Sequence, residues 1–471
     1  MQGKKQEGPS TSKKVNLVRK PTFPVSEKRV SFFPDSDWQL SYWAKRNYKN
    51  RVLLLIDRDP AIRSIPEHRL YRARILYEKG KIDRLWQMRG RQEEGFFNRE
   101  NYLYLALGLG IVREVYWVVP FDYFKYHDAE KRIKRYLQYR GYDPDDIASF
   151  RLRGGCLVGN LYGFKYHICG IEGLPEIDSE EILLTIDLSF FPLMERFYRQ
   201  EKLLLIKRLF EELDKRAYRI GDVSIVYSVE GGGIPVESRY IGDVIKSLLL
   251  KGINQISDLW AGWRKREIME TLTSNGSFQR VLKELKDADD EADRVFLSLS
   301  YGGLKRYKEA MKISEQLCSM ERDYCYLYPR LGAIALSGGD IEEAGIFFRK
   351  ALKINPPLSA PGLWDYAMAL FERAEYQEAL KVFNYIYQDE GSFRADLMAG
   401  LTCMRMKDPV GAEFYFDRAV RYLKKHQFDV VWDRDFREAI KAAEDFYRNF
   451  KRSESERSYE IYQNLNLMDM R

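Results

Sequence analysis

Three carboxylates and a run of glycines have the residue types and spacing for chemistry. The stretch "VLLLIDRDP" (52–60) is an apolar run of strand length broken by Asp57, Arg58 and Asp59. A second run, "EEILLTIDLSFFP", carries Asp187, and a third, "DVSIVYSVEGGGIP", leads into Glu230, Gly231, Gly232 and Gly233. Carboxylates gathered at one point hold a divalent cation, because hard cations take oxygen donors. Successive backbone amides before a helix cradle an anion or other ligand. The glycine run has neither GxxxxGK[ST] nor GxGxxG spacing, so a plain turn competes with the ligand loop. The competing reading of Asp57 and Asp59 is structural: they cap a following helix and pair with Arg58 or Arg63.

Each of these groups must be placed by the element before it. Five consecutive aliphatic residues, 52–56, read as a strand buried on both faces. An amphipathic helix over 66–89 follows, then an apolar helix beginning near Arg99 and a strand over 112–119 closed by Pro120. Beyond a helix ending at Gly141, short glycine-separated strands between 148 and 171 fit a hairpin excursion. A strand ending near Asp187, one long helix over 194–216, another strand and a helix over 238–250 complete the half. The alternation predicts an α/β fold, a mostly parallel sheet flanked by helices. In such sheets ligands collect beyond the carboxyl ends of the strands, which is where all three features fall.

The motifs "IDRDPAI" (56–62), "RENYLYLALGLGIVREVYWVVP" (99–120) and "TIDLSFF" (185–191) resemble an uncharacterised branch of the arginase/histone-deacetylase superfamily, over roughly residues 45–252. The resemblance implies an arginase-like sheet and a divalent metal that activates water for hydrolysis of an amide, guanidinium or acylated amine. It implies metal ligands at Asp57 and Asp187. Asp59 stands where that family has histidine, and Ala61 and Ser189 stand where it has aspartate. Each lost donor weakens a metal site. The expectation is therefore a domain that has lost its chemistry and needs no cofactor, the alternative being a metal-dependent C–N hydrolase holding a divalent ion on Asp57, Asp59 and Asp187. His68, His127, His167 and His426 form no HxxxH or HExxH pair.

The second half repeats. In "YLYPRLGAIALSGGDIEEAGIFFRKALKINP" (326–356), Leu331, Gly332, Ala344, Phe348, Ala351 and Pro356 occupy the packing positions of a tetratricopeptide repeat. Ala310, Ala344, Ala379 and Ala412 recur at intervals of 34, 35 and 33, close to the period of that family, which residues 291–425 resemble. Four stacked helix pairs are expected, with the first helix of each lining a concave surface. Counting from the small-residue position places Tyr326, Trp364, Met368, Phe371, Leu397, Met398, Leu401, Met404 and Arg405 near that groove, where aromatic and Met side chains suit capture of a protein or peptide. Internal filling of the groove, by the N-terminal domain or by the chain's own terminal helix or tail, competes with an external partner.

These readings divide the 471 residues into a basic flexible tail (1–35), an α/β domain (36–252), a helical connector or degenerate repeat (253–290), the repeats (291–425) and a capping helix with a tail (426–471). The net charge is +7, but residues 1–30 hold eight Lys/Arg against Glu7 and Glu27, so the rest is nearly balanced. Such a tail attracts nucleic acid by counterion release, though few aromatics accompany it, and a solvated leader is the plainer reading. No segment is apolar enough to span a membrane, and the start lacks the apolar run of a secretion signal, so a cytoplasmic location is expected. Five cysteines without a CxxC pair suggest buried thiols rather than a disulfide framework. The overall expectation is a protein-interaction scaffold.

Overall fold

The computed structural model describes residues 22–89, 97–177, 181–229, 234–255, 257–286, 288–354, 360–390 and 393–425, with Lys441, Asp445 and Arg448 beyond them. Eight strands form one sheet: β1 (Val30–Phe33), β2 (Arg51–Ile56), β3 (Val112–Val118), β4 (Arg151–Arg153), β5 (Cys156–Leu161), β6 (Phe164–Cys169), β7 (Ile182–Asp187) and β8 (Ile220–Val226). Their order is β1-β8-β7-β2-β3-β6-β5-β4. Neighbours from β1 to β6 run parallel, while β5 and β4 return antiparallel at the edge as the expected hairpin excursion. The mostly parallel sheet flanked by helices is as the alternation predicts.

Strand β2 shows why an unbroken aliphatic run was needed. It lies between β7 and β3, and its alternate side chains enter two different cores. Val52, Leu54 and Ile56 face one, and Leu53 and Leu55 the other. A strand covered on both faces has no polar position to spare.

Several local expectations need correction. Val30–Phe33 pairs with β8, and the amide of Val25 donates to Leu249 at 2.8 Å, so the last residues of the expected flexible tail are part of the domain. The 66–89 helix is two, Glu67–Glu78 and Ile82–Gln87, broken at Gly80 with φ +64°. The 194–216 helix is also two, Phe190–Tyr198 and Lys202–Lys215, separated by Arg199 in the left-handed region. Cys156 and Cys169 are directly opposed across the β5–β6 hairpin and form a disulfide, as do Cys318 and Cys325, leaving Cys403 as the buried thiol. Hairpin pairing, invisible to a search for CxxC, brings the first two together.

The four expected repeats are Glu291–Gly303 with Tyr307–Met320, Leu327–Ser337 with Ile341–Ile354, Ala360–Glu372 with Tyr376–Glu390, and Phe393–Arg405 with Pro409–Lys425. The connector is itself a helix pair, Ser257–Ser274 and Phe278–Glu284. Ala310, Ala344, Ala379 and Ala412 are fully buried where helices cross. A methyl group added at Gly332 would lie 2.9 Å from the Phe348 ring, and one at Gly400 2.4 Å from Phe416, so these glycines let aromatic rings meet backbone. The expected capping helix and the tail fall almost wholly outside the described residues.

The two halves share a core. Ile225, Tyr240 and Leu248 of the sheet half belong to one apolar cluster with Trp263 of the connector and Phe296, Leu299, Leu331 and Phe347 of the repeats. Polar contacts close the seam. The Arg239 guanidinium lies 4.3 Å from the Tyr227 ring and 4.7 Å from that of Tyr324, and pairs with Glu321. Lys202, nearly buried, donates to both carboxylate oxygens of Glu270 at 2.8 Å.

Candidate functional site

Asp57 and Asp187 sit at the carboxyl ends of the neighbouring strands β2 and β7 and line one cavity of about 270 Å³. The loop carrying Asp57 is pinned from three sides. Trp117 Nε1 donates to the Asp57 carbonyl at 2.8 Å, the Tyr166 hydroxyl to Pro60 at 3.1 Å and the Tyr142 hydroxyl to Ile62 at 2.9 Å. The Asp57 side chain accepts from the Asp59 amide at 3.2 Å, closing an Asx turn. That replaces the expected helix cap, because the next helix starts only at Glu67. Asp187 accepts from the Ser189 amide at 2.8 Å and from the Ser228 hydroxyl.

Burial pushes the Asp57 carboxyl well above the usual carboxylate range, and the charges of Asp187 and Asp59 add to the shift. Burial also raises Asp187, against the opposing pull of its bonds to Ser228 and Ser189. Two carboxyls raised at neighbouring strand ends hold protons more tightly than free aspartates and offer oxygens to hydroxyl or amine groups of a ligand.

Asp59 belongs to a different arrangement. Its carboxylate accepts from Arg140 at 2.7 Å, with Arg58 at 3.3 Å and the Tyr136 hydroxyl at 3.3 Å. Asp59 is engaged by arginines, and Ala61 and Ser189 offer no carboxylate at this corner. Among the described residues no group of three or more His, Cys, Asp or Glu side chains is placed to hold a metal ion. His68 and His127 are exposed, and His167 stacks on Tyr116 at 4.0 Å with Nε2 3.2 Å from Glu114. His426 and the expected ligand loop, Glu230 and Gly231 to Gly233, lie outside the described residues.

Sequence reasoning missed part of this corner. Asp35, Ser36, Arg63, Arg99, Arg140, Tyr142 and Ser228 also line the cavity. Asp35 and Ser36 follow edge strand β1, which lies inside the expected tail 1–35. The charge pattern of "IDRDP" pointed to Arg58 and Arg63 but had no means of finding Arg140.

On the repeats, the expected groove residues separate into two groups. Tyr326, Leu397, Met398 and Leu401 are buried, contrary to their placement on an open surface. Leu397, Met398 and Leu401 join the apolar core of the last two helix pairs, and Tyr326 joins the core shared with the sheet. Trp364, Met368, Phe371 and Met404 are half-buried, and Arg405 is exposed. Trp364 packs on Phe383 at 5.5 Å and Phe371 on Tyr376 at 5.5 Å, each leaving part of its ring accessible.

Residues 327–357 match the family model of the tetratricopeptide repeat. No curated protein matches the chain significantly. The C-terminal half therefore contains a tetratricopeptide repeat, a unit that suggests protein interaction. Among the described residues no helix is long and apolar enough to cross a membrane.

Proposed function

We propose that the protein is an interaction scaffold: an arginase-like α/β domain without metal chemistry carries a repeat solenoid that binds a protein or peptide. The observation supporting it is the repeat at 327–357, continued by helix pairs with the same buried alanines on either side. Within the solenoid, Trp364, Met368 and Phe371 on Ala360–Glu372 and Met404 on Phe393–Arg405 are partly accessible apolar positions of first helices. Partner capture with the full chain tests the reading. Met368→Lys/Phe371→Asp should lose specific partners that the unaltered chain retains, and an unchanged partner set would remove the solenoid face from the proposal.

The arginase-like assignment of residues 36–252 draws support from Asp57 and Asp187 at the ends of adjacent parallel strands. A metal-dependent hydrolase is the second reading, favoured only by that pair. Metal analysis after manganese or zinc reconstitution separates the two, since the hydrolase reading requires one bound ion per chain, lost in Asp187→Asn, and the absence of such an ion removes it.

A further inference from the structure

Beside the acidic corner lies a wider cleft of about 1110 Å³, walled by the helices Ala129–Tyr139 and Phe190–Tyr198 and by the turn around Asp122. Its lining combines two chemistries. Five arginines, Arg58, Arg132, Arg140, Arg196 and Arg199, face only Asp59 and Asp122 among the lining acids. Arg58 and Arg140 pair with Asp59, and Arg132 pairs with Asp128 at 2.7 Å. Arg196 and Arg199 are exposed and have no acidic partner among the described residues.

Between the arginines stand aromatic rings. Tyr139 is 83% exposed and Tyr126 45%, with the Arg132 guanidinium 4.5 Å from the Tyr126 ring. Behind them Phe121 stacks on Tyr123 at 5.0 Å, and Phe197 meets Phe121 edge-on at 4.9 Å. This packed aromatic floor holds the cleft open. Solvent-facing tyrosines leave apolar ring surface in water, so a ligand that supplies planar faces to cover it is their natural complement.

We propose that this cleft binds single-stranded nucleic acid, with bases laid on Tyr126 and Tyr139 and phosphates held by Arg196 and Arg199. An acidic peptide would satisfy the arginines and leave the rings unused, whereas an unpaired base stacks on an aromatic face whatever its identity. A duplex keeps its bases stacked inside and offers the rings nothing. The volume exceeds the roughly 300–1,000 Å³ of ordinary small-ligand pockets, which favours an oligomer over a single nucleotide. The lining residues all lie between 58 and 199, in the sheet half, and Arg58, Asp59 and Arg140 line both this cleft and the acidic cavity.

The test is fluorescence anisotropy of the full chain with fluorescein-labelled oligouridylate and oligothymidylate of about a dozen nucleotides. Binding should be saturable and weaken about tenfold between 50 and 200 mM salt, as neutralising two or three phosphates of a single strand requires. Tyr126→Ala/Tyr139→Ala should lower affinity about thirtyfold or more and leave the salt slope in place. Arg196→Gln/Arg199→Gln should weaken binding and flatten the slope by one or more. These side chains are exposed, and unchanged thermal unfolding confirms that each variant folds. Lys4→Gln/Lys5→Gln/Lys13→Gln/Lys14→Gln should bind as the unaltered chain does. Preference for the uridylate or the thymidylate strand identifies RNA or DNA as the ligand. The proposal fails if neither oligomer binds at micromolar protein, if the cleft variants bind normally, if the lysine variant abolishes binding, or if polyglutamate displaces the oligomers at equal charge.

Discussion

Arg330, on the repeat helix Leu327–Ser337, donates through Nε at 2.9 Å and Nη2 at 2.7 Å to the same oxygen of Glu237, which follows β8 in the sheet domain. Glu237 is buried and its other carboxylate oxygen has no partner among the described residues, so this one guanidinium supplies most of the compensation seen there. Removing one member of such a pair leaves a charge stranded in the seam between the halves. Arg330→Ala should lower the unfolding free energy by about 2–4 kcal/mol in urea titration. Glu237→Gln/Arg330→Met should lose less, because no charge is then left behind. Equal losses would show that packing rather than charge holds the seam.

The acidic corner should make stability depend on pH in a definite direction. Asp57 and Asp187 bind protons more tightly in the folded chain than in the unfolded one, where an aspartate titrates near 3.9. Their contribution is full below that value and is lost as pH rises through the folded pKa. Asp57→Asn, which keeps an acceptor for the Asp59 amide, should therefore stabilise the protein at pH 7–8 by about 1 kcal/mol and give no gain near pH 4. Thermal unfolding across that range reads the difference. A gain that grows toward acid would reverse the assignment.

Gly400 should be intolerant of any side chain. An added methyl would stand 2.4 Å from the Phe416 ring, inside contact distance, and the ring is fully buried and cannot swing clear. Gly400→Ala should cost about 1–3 kcal/mol. By contrast, Gly262→Ala meets no atom within 4 Å in the middle of a helix and should be neutral or slightly stabilising. Calorimetric melting of the two variants makes the comparison.

Cysteine labelling separates bridges from thiols. Unfolded without reductant, the chain should take one alkyl group, at Cys403, and five after reduction. Peptide mapping should recover Cys156 linked to Cys169 and Cys318 linked to Cys325. Cys318→Ser/Cys325→Ser should cost about 2–3 kcal/mol through the freed loop in the unfolded chain. Five labels without reductant would return all the cysteines to thiols.

The parts legible in the sequence are those written in local periodicity. The aliphatic run of β2 announced a strand covered on both faces, and the spaced alanines with Gly332 announced stacked helix pairs. What escaped depends on partners distant along the chain. Asp59 meets Arg140 only because the helix Ala129–Tyr139 packs beside the β2 loop, and the Arg and Tyr residues of the wide cleft come from four separate segments. Leu397 and Leu401 were placed on an open surface by counting helical positions, but counting cannot see what packs over a face. Asp35 and Ser36 were lost with β1, whose four residues are too few to show an alternation.

The apolar cluster running from the strands through Trp263 to Phe347 makes the sheet domain the end plate of the solenoid. A repeat array normally needs a polar terminal helix to shield its first unit from water. Here that duty falls to a whole domain, so the first helix pair of the array, through Phe296 and Leu299, is roofed by the sheet half and the connector instead of by a polar helix.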